Sequence, residues 1–130
     1  MRHSVLQQIQ TLSPAGFGIS RELPYDESGT ALYVKNPKTI YIDNLQVEQE
    51  PLIVALNAFS INNEINIVRV YFTTDAKNPV NNYEKLVDQL RGLKDSIELS
   101  GATTREALVS TEYAGDLLIT ELEYRITKLN

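Results

Sequence analysis

The sequence contains no cysteine and a single histidine, His3, close to its N-terminus. Without cysteine the chain has no disulfide framework, and it has no thiolate that could act as a nucleophile or a metal ligand. One imidazole and no thiolate also leave too few of the ligands that zinc prefers. A hard cation held by carboxylate or carbonyl oxygens is the remaining possibility for a metal. We therefore expect no metal centre of the zinc type and no cofactor.

Long apolar runs are also missing. No stretch approaches the roughly 18 consecutive apolar residues that a membrane span requires. The N-terminal segment MRHSVLQQIQ has serine and glutamine where a signal peptide needs a continuous apolar run. The chain has no glycine-rich phosphate loop and no nucleophile elbow, and a Ser-His-Asp triad would have to use His3. We expect a protein that is made in the cytoplasm, enters no membrane and is not an enzyme.

Basic residues are outnumbered: 12 Lys and Arg stand against 17 Asp and Glu, which gives a net charge of −5. Binding to the phosphate backbone of nucleic acids needs clustered cations, so this balance argues against a surface that holds DNA or RNA. It is compatible with a surface past which DNA slides. At 130 residues, the chain is expected to form one domain over residues 1–130.

Hydrophobic periodicity predicts helices and strands in an order that is typical of an α+β fold. We expect a two-layer structure, a mostly antiparallel or mixed β-sheet on which one long and one short helix pack. The predicted helices cover residues 4–12 and 81–99. The predicted strands are two short ones at 31–34 and 39–42, an antiparallel hairpin of 52–59 with 64–74, and two strands at 106–113 and 117–129. The alternating pattern continues through Leu45, Val47 and Gln49 and could extend to Pro51, and periodicity alone leaves a helix over 52–59 open.

The strand at 64–74 has two different faces. Val68, Val70 and Phe72 alternate on one face, which we expect to pack against the long helix. The opposite face carries Ile67, Arg69 and Tyr71, and its mixed character predicts contact with a second layer or with a neighbouring subunit. These three residues are therefore candidates for a subunit interface.

The segment at about 20–38, termed the arm, is irregular and rich in turn-forming residues. Two interpretations remain open: a flexible surface loop, or an arm that orders against a partner subunit. Tyrosine is enriched at interfaces, so Tyr25, Tyr33 and Tyr41 are further interface candidates. They could equally pack in the core with their hydroxyl groups reaching water.

Carboxylate side chains in a loop and on predicted strands are candidates for a catalytic or binding site. Asp75 and Lys77 lie in the loop at 73–79 beside a pair of threonines, where they form either a polar site or a turn with ordinary turn residues. Glu121 and Glu123 are two apart on a predicted strand, so both point to one face. They could act as an acid–base pair, although regular alternation with apolar residues favours an acidic strand face in solvent. Glu48 and Glu50 have the same spacing and the same interpretation.

Three segments follow in a characteristic order: INIVRVYF in a strand, NNYEKLVDQLRGLKD in a helix, and EALVSTEYAGDLLITELEYRIT in the last two strands. This order resembles the tail-terminator and minor tail (head–tail joining) proteins of tailed double-stranded DNA bacteriophages. The resemblance covers most of the chain in element order and length, and no residue is assigned a role by it.

The resemblance implies a structural virion protein in the tail or neck. It implies a ring, commonly a hexamer, at the head-proximal end of the tail tube, which ends tube polymerisation and joins the tail to the head connector. The implied partners are copies of the same chain, the tail-tube protein and the connector protein, with DNA passing through the lumen. The alternatives are a generic α+β interaction or ligand-binding module, or a small metal-independent enzyme that uses the loop at 73–79.

Overall fold

The structure is a computed structural model, and it describes residues 2–12, 17–54, 60–75, 77, 84–93 and 103–129. Within these residues the helices are α1 (Arg2–Leu12), α2 (Leu32–Lys35) and α3 (Lys85–Arg91), and the strands are β1 (Gly18–Ile19), β2 (Thr39–Val54), β3 (Ser60–Asp75), β4 (Thr103–Ala114) and β5 (Leu117–Leu129).

The strands form one mixed sheet in the order β1-β2-β3-β5-β4. The two-residue strand β1 runs parallel to the start of β2, and every other neighbouring pair is antiparallel. The predicted α+β class, with a mixed sheet and helices packed on it, is confirmed.

The hydrophobic core lies between one face of the sheet, here called the covered face, and the helices α1 and α3. Its centre is Val68, Val70 and Phe72 of β3, as the alternation in the sequence predicted. Around them pack Val5, Leu6 and Ile9 of α1, Ile40 and Ile42 of β2, Leu86, Val87, Leu90 and Leu93 of the α3 region, and Leu122, Tyr124 and Ile126 of β5. The buried hydroxyl of Tyr124 donates to the Leu90 carbonyl and so joins β5 to α3.

The predicted hairpin at the C-terminal end is confirmed. Ala114 pairs with Leu117, which leaves the two-residue loop Gly115-Asp116. Gly115 has φ of 62°, the left-handed value that the first position of a type II′ turn requires and that glycine adopts without steric cost. Both residues of the loop are exposed.

One prediction for the first half of the chain is wrong. The segment predicted as a strand at 31–34 is the short helix α2, in which Asn36 N–H donates to the Leu32 carbonyl. The predicted strand at 39–42 is confirmed as the beginning of the 16-residue strand β2, which runs past Pro51 to Val54. The strand at 64–74 therefore pairs with the whole of β2, and residues 55–59 of the predicted hairpin lie outside the described residues.

The long helix predicted for 81–99 is described over a shorter range. Regular helix covers α3, and Glu84 before it has helical φ and ψ. Residues 81–83 and 94–99 lie outside the described part. Its buried side chains, Leu86, Val87 and Leu90, are those that the predicted stripe placed against the sheet.

Candidate assembly surface

The face opposite the core carries the residues that the sequence singled out, and it is called the arm face because the arm lies on it. The arm is held by hydrogen bonds within its own chain. Oδ1 of Asp26 accepts from the backbone N–H of Ser28 at 3.0 Å and of Thr30 at 2.8 Å. The Leu32 N–H donates to the Pro24 carbonyl at 2.8 Å, and Lys38 N–H donates to the Thr73 carbonyl of β3 at 3.0 Å.

Three tyrosines fix the arm to the sheet. The ring of Tyr33 stacks on Tyr71 of β3, with centroids 5.0 Å apart and planes inclined by 23°. Tyr25 meets both rings edge to face, at 5.8 Å from Tyr33 and 6.0 Å from Tyr71. The hydroxyl oxygens of Tyr25 and Tyr33 are 3.3 Å apart. We call this set the tyrosine cluster. It packs the arm against its own sheet, and the contact of the arm with a partner subunit stays a prediction.

Burial within the cluster changes the titration of two hydroxyls. Desolvation, and next the hydrogen bond with Tyr25, raises the pKa of Tyr33 far above its usual value. Desolvation, and next the negative charge of Glu121, raises the pKa of Tyr71 in the same way. Both effects favour the neutral phenol because the anion would lie in a poorly hydrated place beside a carboxylate.

Arg69 forms the second feature of the arm face. Its Nη1 lies 2.8 Å from Oε1 of Glu121, and its Nε donates to Oε1 of Glu123 at 3.3 Å. The side chains of the two glutamates are 18% and 17% exposed. The predicted acidic strand face is therefore not left to solvent, because Arg69 lies between its two carboxylates. We call this set the arginine clamp.

Opposing effects act on the Arg69 guanidinium. Burial alone would lower the pKa of Arg69, but attraction to Glu121 and hydrogen bonding with Tyr71 and Glu123 raise it overall. The guanidinium thus remains charged, and two negative charges are matched mainly by one positive charge. This arrangement is suited to holding strands together rather than to proton transfer.

The other interface candidates are mostly inside the chain. Ile67 and Tyr41 are buried, and the Tyr41 hydroxyl accepts from Nδ2 of Asn36 at 2.9 Å. Tyr25 is the most exposed of the six candidates, at 44%. A contact between subunits through these residues stays a prediction. The structure places five of them, Tyr25, Tyr33, Tyr41, Arg69 and Tyr71, in one continuous region of the arm face, since Tyr41 pairs with Tyr71 across β2 and β3.

In the loop at 73–79, the side chains of Thr74 and Asp75 are hydrogen-bonded to backbone groups of the chain. Thr73 and Thr74 are fully buried. Oδ1 of Asp75 accepts from the Lys77 backbone N–H at 2.9 Å, which is the hydrogen bond of a local Asx turn. The interpretation of Asp75 as a turn residue is therefore confirmed.

Sequence reasoning missed two arginines, Arg105 and Arg125, which stand directly opposite each other on β4 and β5. Both are exposed. The pairing register that brings them together depends on the bulge between Leu108 and Ser110, and one sequence gives no direct signal for a register between separate strands.

Comparison of the chain with protein-family models and with curated proteins finds no match. Among the described residues, no group of His, Cys, Asp and Glu side chains is arranged to hold a metal ion. In the same part of the chain, each helix is too short or too polar to cross a membrane.

Proposed function

We propose that this protein is a ring-forming structural component of a phage tail, located at the head-proximal end of the tail tube. In this role it ends tube polymerisation and joins the tail to the head connector. The proposal combines the resemblance in element order with one structural observation, which is that among the described residues no strand pairs with the outer sides of β2 and β4 over most of their length.

The observation concerns the outer sides of β2 and β4. Within the described residues, β1 pairs with β2 at Thr39 and Ile40, and no strand pairs with the outer side of β2 beyond that point. The outer side of β4 is likewise unpaired in the described part of the sheet. Exposed edges offer backbone N–H and C=O groups to another chain.

The two edges are suited to joining each other. Because β2, β3, β5 and β4 alternate in direction, β4 of one copy would meet β2 of the next in antiparallel orientation. Such a contact uses two different surfaces of each subunit, and a contact of this kind closes into a ring when the rotation between neighbours allows it. A continuous sheet around a ring supports the proposed role.

The exposed apolar side chains add support. Among the described residues, the large exposed hydrophobic side chains are Leu23, Tyr25, Val34 and Tyr113, and the first three belong to the arm. Concentration of such side chains in one region marks interaction surfaces. The net charge of −5 also suits a channel past which DNA must slide, because a negative wall does not hold phosphate.

The test is assembly in the presence and absence of a phage tail-tube protein. We expect closed rings of the chain by negative-stain electron microscopy, and shorter tubes with the chain bound at one end when the tube protein polymerises. Bovine serum albumin at equal concentration serves as the control for crowding. Tubes of unchanged length without the chain at either end would contradict the proposal.

A further inference from the structure

Arg105 and Arg125 form a cross-strand pair of like charges. They are directly opposite in the register of β4 and β5, so both lie on the same face of the sheet. In the register of β3 and β5, Arg125 is opposite Ile67, which places the pair on the arm face. Two cations at this spacing repel each other, and the repulsion favours binding of an anion between them.

The arginine pair differs from Arg69 in having no carboxylate bound to it among the described residues. Arg69 has two carboxylates of its own chain within 3.3 Å. No ion pair involves Arg105 or Arg125 in the described part of the chain. Glu123, the nearest acidic residue along β5, is already bound to Arg69. Within the described residues, Arg105 of the edge strand β4 and Arg125 of the adjacent strand β5 are therefore two exposed cations that form no ion pair there.

The opposite edge carries the complementary charge. Register with β3 places Asp43, Glu48 and Glu50 at arm-face positions of β2, opposite Arg69, Ile65 and Asn63. The strand β2 contains no lysine or arginine. Ile67 of β3 is opposite Arg125 on β5 and opposite Gln46 on β2. The arginine pair and Gln46 therefore lie on one line across the strands. The arginines are therefore level with the gap between Asp43 and Glu48.

We propose that the Arg105–Arg125 pair binds the acidic β2 edge of a second copy of this chain, at Asp43, Glu48 and Glu50. This inference rests on the proposed ring and names the charged contact between its neighbours. When β4 of one copy lies beside β2 of the next, their arm faces become one surface, and the cations of one copy meet the carboxylates of the other.

Features of the two edges explain why charge should select the partner. Both edges contain a bulge, between Asn44 and Gln46 on β2 and between Leu108 and Ser110 on β4, and Pro51 of β2 has no N–H to donate. Bulges and prolines at edges prevent unselective strand addition. A short backbone contact then needs side-chain charges to fix its partner and register. A nucleic acid is a weaker candidate for the arginine pair, because the whole chain is acidic.

The test reverses each charged edge separately. One variant carries Arg105→Glu and Arg125→Glu, and the other carries Glu48→Lys and Glu50→Lys. Sedimentation velocity over a range of concentrations measures self-association of each. We expect the dissociation constant to rise at least about tenfold for each variant, because like charges then face each other across the contact. An equimolar mixture of the two variants should associate again, since each reversed edge then meets an opposite charge.

The control variant is Lys77→Glu with Lys85→Glu, which changes the net charge as much as the arginine reversal but at exposed residues that belong to neither β2 nor β4. It should associate like the unmodified chain. Circular dichroism and thermal unfolding establish that each variant is folded.

A second measurement locates the contact. Arg105→Lys allows a zero-length carbodiimide to join position 105 to a carboxylate, and mixing isotope-labelled with unlabelled chain distinguishes links between copies. We expect links from position 105 to Asp43, Glu48 or Glu50 of another copy.

The outcomes separate the two proposals. Rings that persist in both reversed variants would overturn the charged contact and leave the ring intact. A chain that stays monomeric at its highest soluble concentration, with and without tube protein, would overturn both. Loss of association without recovery in the mixture would overturn the inference, as would duplex DNA binding that disappears with Arg105→Glu and Arg125→Glu.

Discussion

Arg69 occupies a position that an isolated charge could not hold without a large cost in solvation. Its guanidinium is about one-third exposed and has a carboxylate at 2.8 Å and another at 3.3 Å, both from the neighbouring strand. Removal of the cation would leave two carboxylates facing each other on a partly dry surface. The loss should exceed that of a surface ion pair and remain below that of a fully buried one.

We predict that Arg69→Met lowers the free energy of unfolding by about 1–3 kcal/mol, since methionine keeps much of the apolar stem but not the charge. Urea denaturation measures the change. Arg125→Met is the matched control, because Arg125 is on the same face and has no described ion pair. Arg125→Met should change the free energy of unfolding by no more than about 0.5 kcal/mol. A slight increase in stability is expected if removal of the like-charge contact with Arg105 dominates. Equal losses in the two variants would contradict this account of the clamp.

Tyr33 and Tyr71 give a second prediction, for alkaline pH. Both have a pKa above the usual tyrosine value in the folded state, so the folded chain keeps these protons after the unfolded chain has begun to release them. The stability that they contribute is full below a pH of about 10 and falls as the pH rises above it. We expect lower stability in that range, and late titration of two tyrosines by ultraviolet absorbance.

Tyr33→Phe should weaken this pH dependence, because the late-titrating hydroxyl of Tyr33 is removed while the stacked ring remains. Tyr113→Phe, at a side chain that is 70% exposed, should leave it unchanged. An alkaline stability profile identical in all three chains would show that the cluster does not cause it.

At the scale of elements, the arm and the sheet depend on one another through few contacts. The four-residue helix α2 is too short to be stable by itself, and Tyr33 in its centre is the residue that stacks on β3. The arm should therefore open as a unit while the helices on the covered face stay packed.

We predict that Tyr33→Ala lowers the free energy of unfolding by about 1–3 kcal/mol, less than for a fully buried aromatic ring. Hydrogen exchange of the amides of Ser28, Thr30 and Leu32 should quicken, while exchange in β5 changes much less. Tyr113→Ala, at an exposed position, is the control. Equal quickening in the arm and in β5 would mean that the arm does not open independently.

The elements with clear periodicity were predictable from the sequence. The alternation in β5 correctly predicted its buried face, with Leu118, Leu122 and Tyr124 in the core. The apolar stripe of α3 correctly predicted the buried face of that helix. Short or interrupted patterns were not predictable. The β-branched and aromatic residues of α2 favoured a strand, but four residues have no resolvable period, and stacking on Tyr71 accompanies the helix instead.

The continuity of β2 was predicted only in part, for a related reason. Leu45 is an extra residue at a bulge, so the side-chain alternation changes phase between Asn44 and Gln46, and one strand resembles two. The candidate site was missed in part because its pairs are distant in sequence. Arg69 and Glu123 are 54 residues apart and meet through the register of β3 and β5.

At the scale of the whole molecule, the acidic strand β2 and the arginine pair lie on opposite sides of the sheet. The strand β2 contains acidic residues and no lysine or arginine. Arg105 lies on β4, which also contains Glu106 and Glu112, and Arg125 lies on the neighbouring strand β5, while the chain as a whole has a net charge of −5. Net repulsion between copies would oppose assembly at low ionic strength, while contacts at the edges would favour it. Salt screens both the net repulsion between copies and the attraction between their edges. The net repulsion acts over longer distances, so salt screens it first.

We predict that the Tm rises with chain concentration, because association stabilises the folded state by mass action. Differential scanning calorimetry at several concentrations measures the rise, and moderate salt should preserve it. The variant with Arg105→Glu and Arg125→Glu should show a smaller rise of the Tm over the same concentration range, because its dissociation constant is larger. A concentration-independent Tm in the unmodified chain would contradict assembly of the chain alone.

The exposed Gly115-Asp116 turn lies at the end of the sheet where Leu117 pairs with Asp75, whereas Val54 and Ser60 pair at the other end. A strand advances by about 3.3 Å per residue, so the two ends of β3 at Ser60 and Asp75 are roughly 50 Å apart along the strand. Exposed loop tips tolerate insertions well. A short epitope inserted at this turn would therefore mark one pole of the subunit, and an antibody bound to it would reveal in micrographs which way each subunit points along a tail.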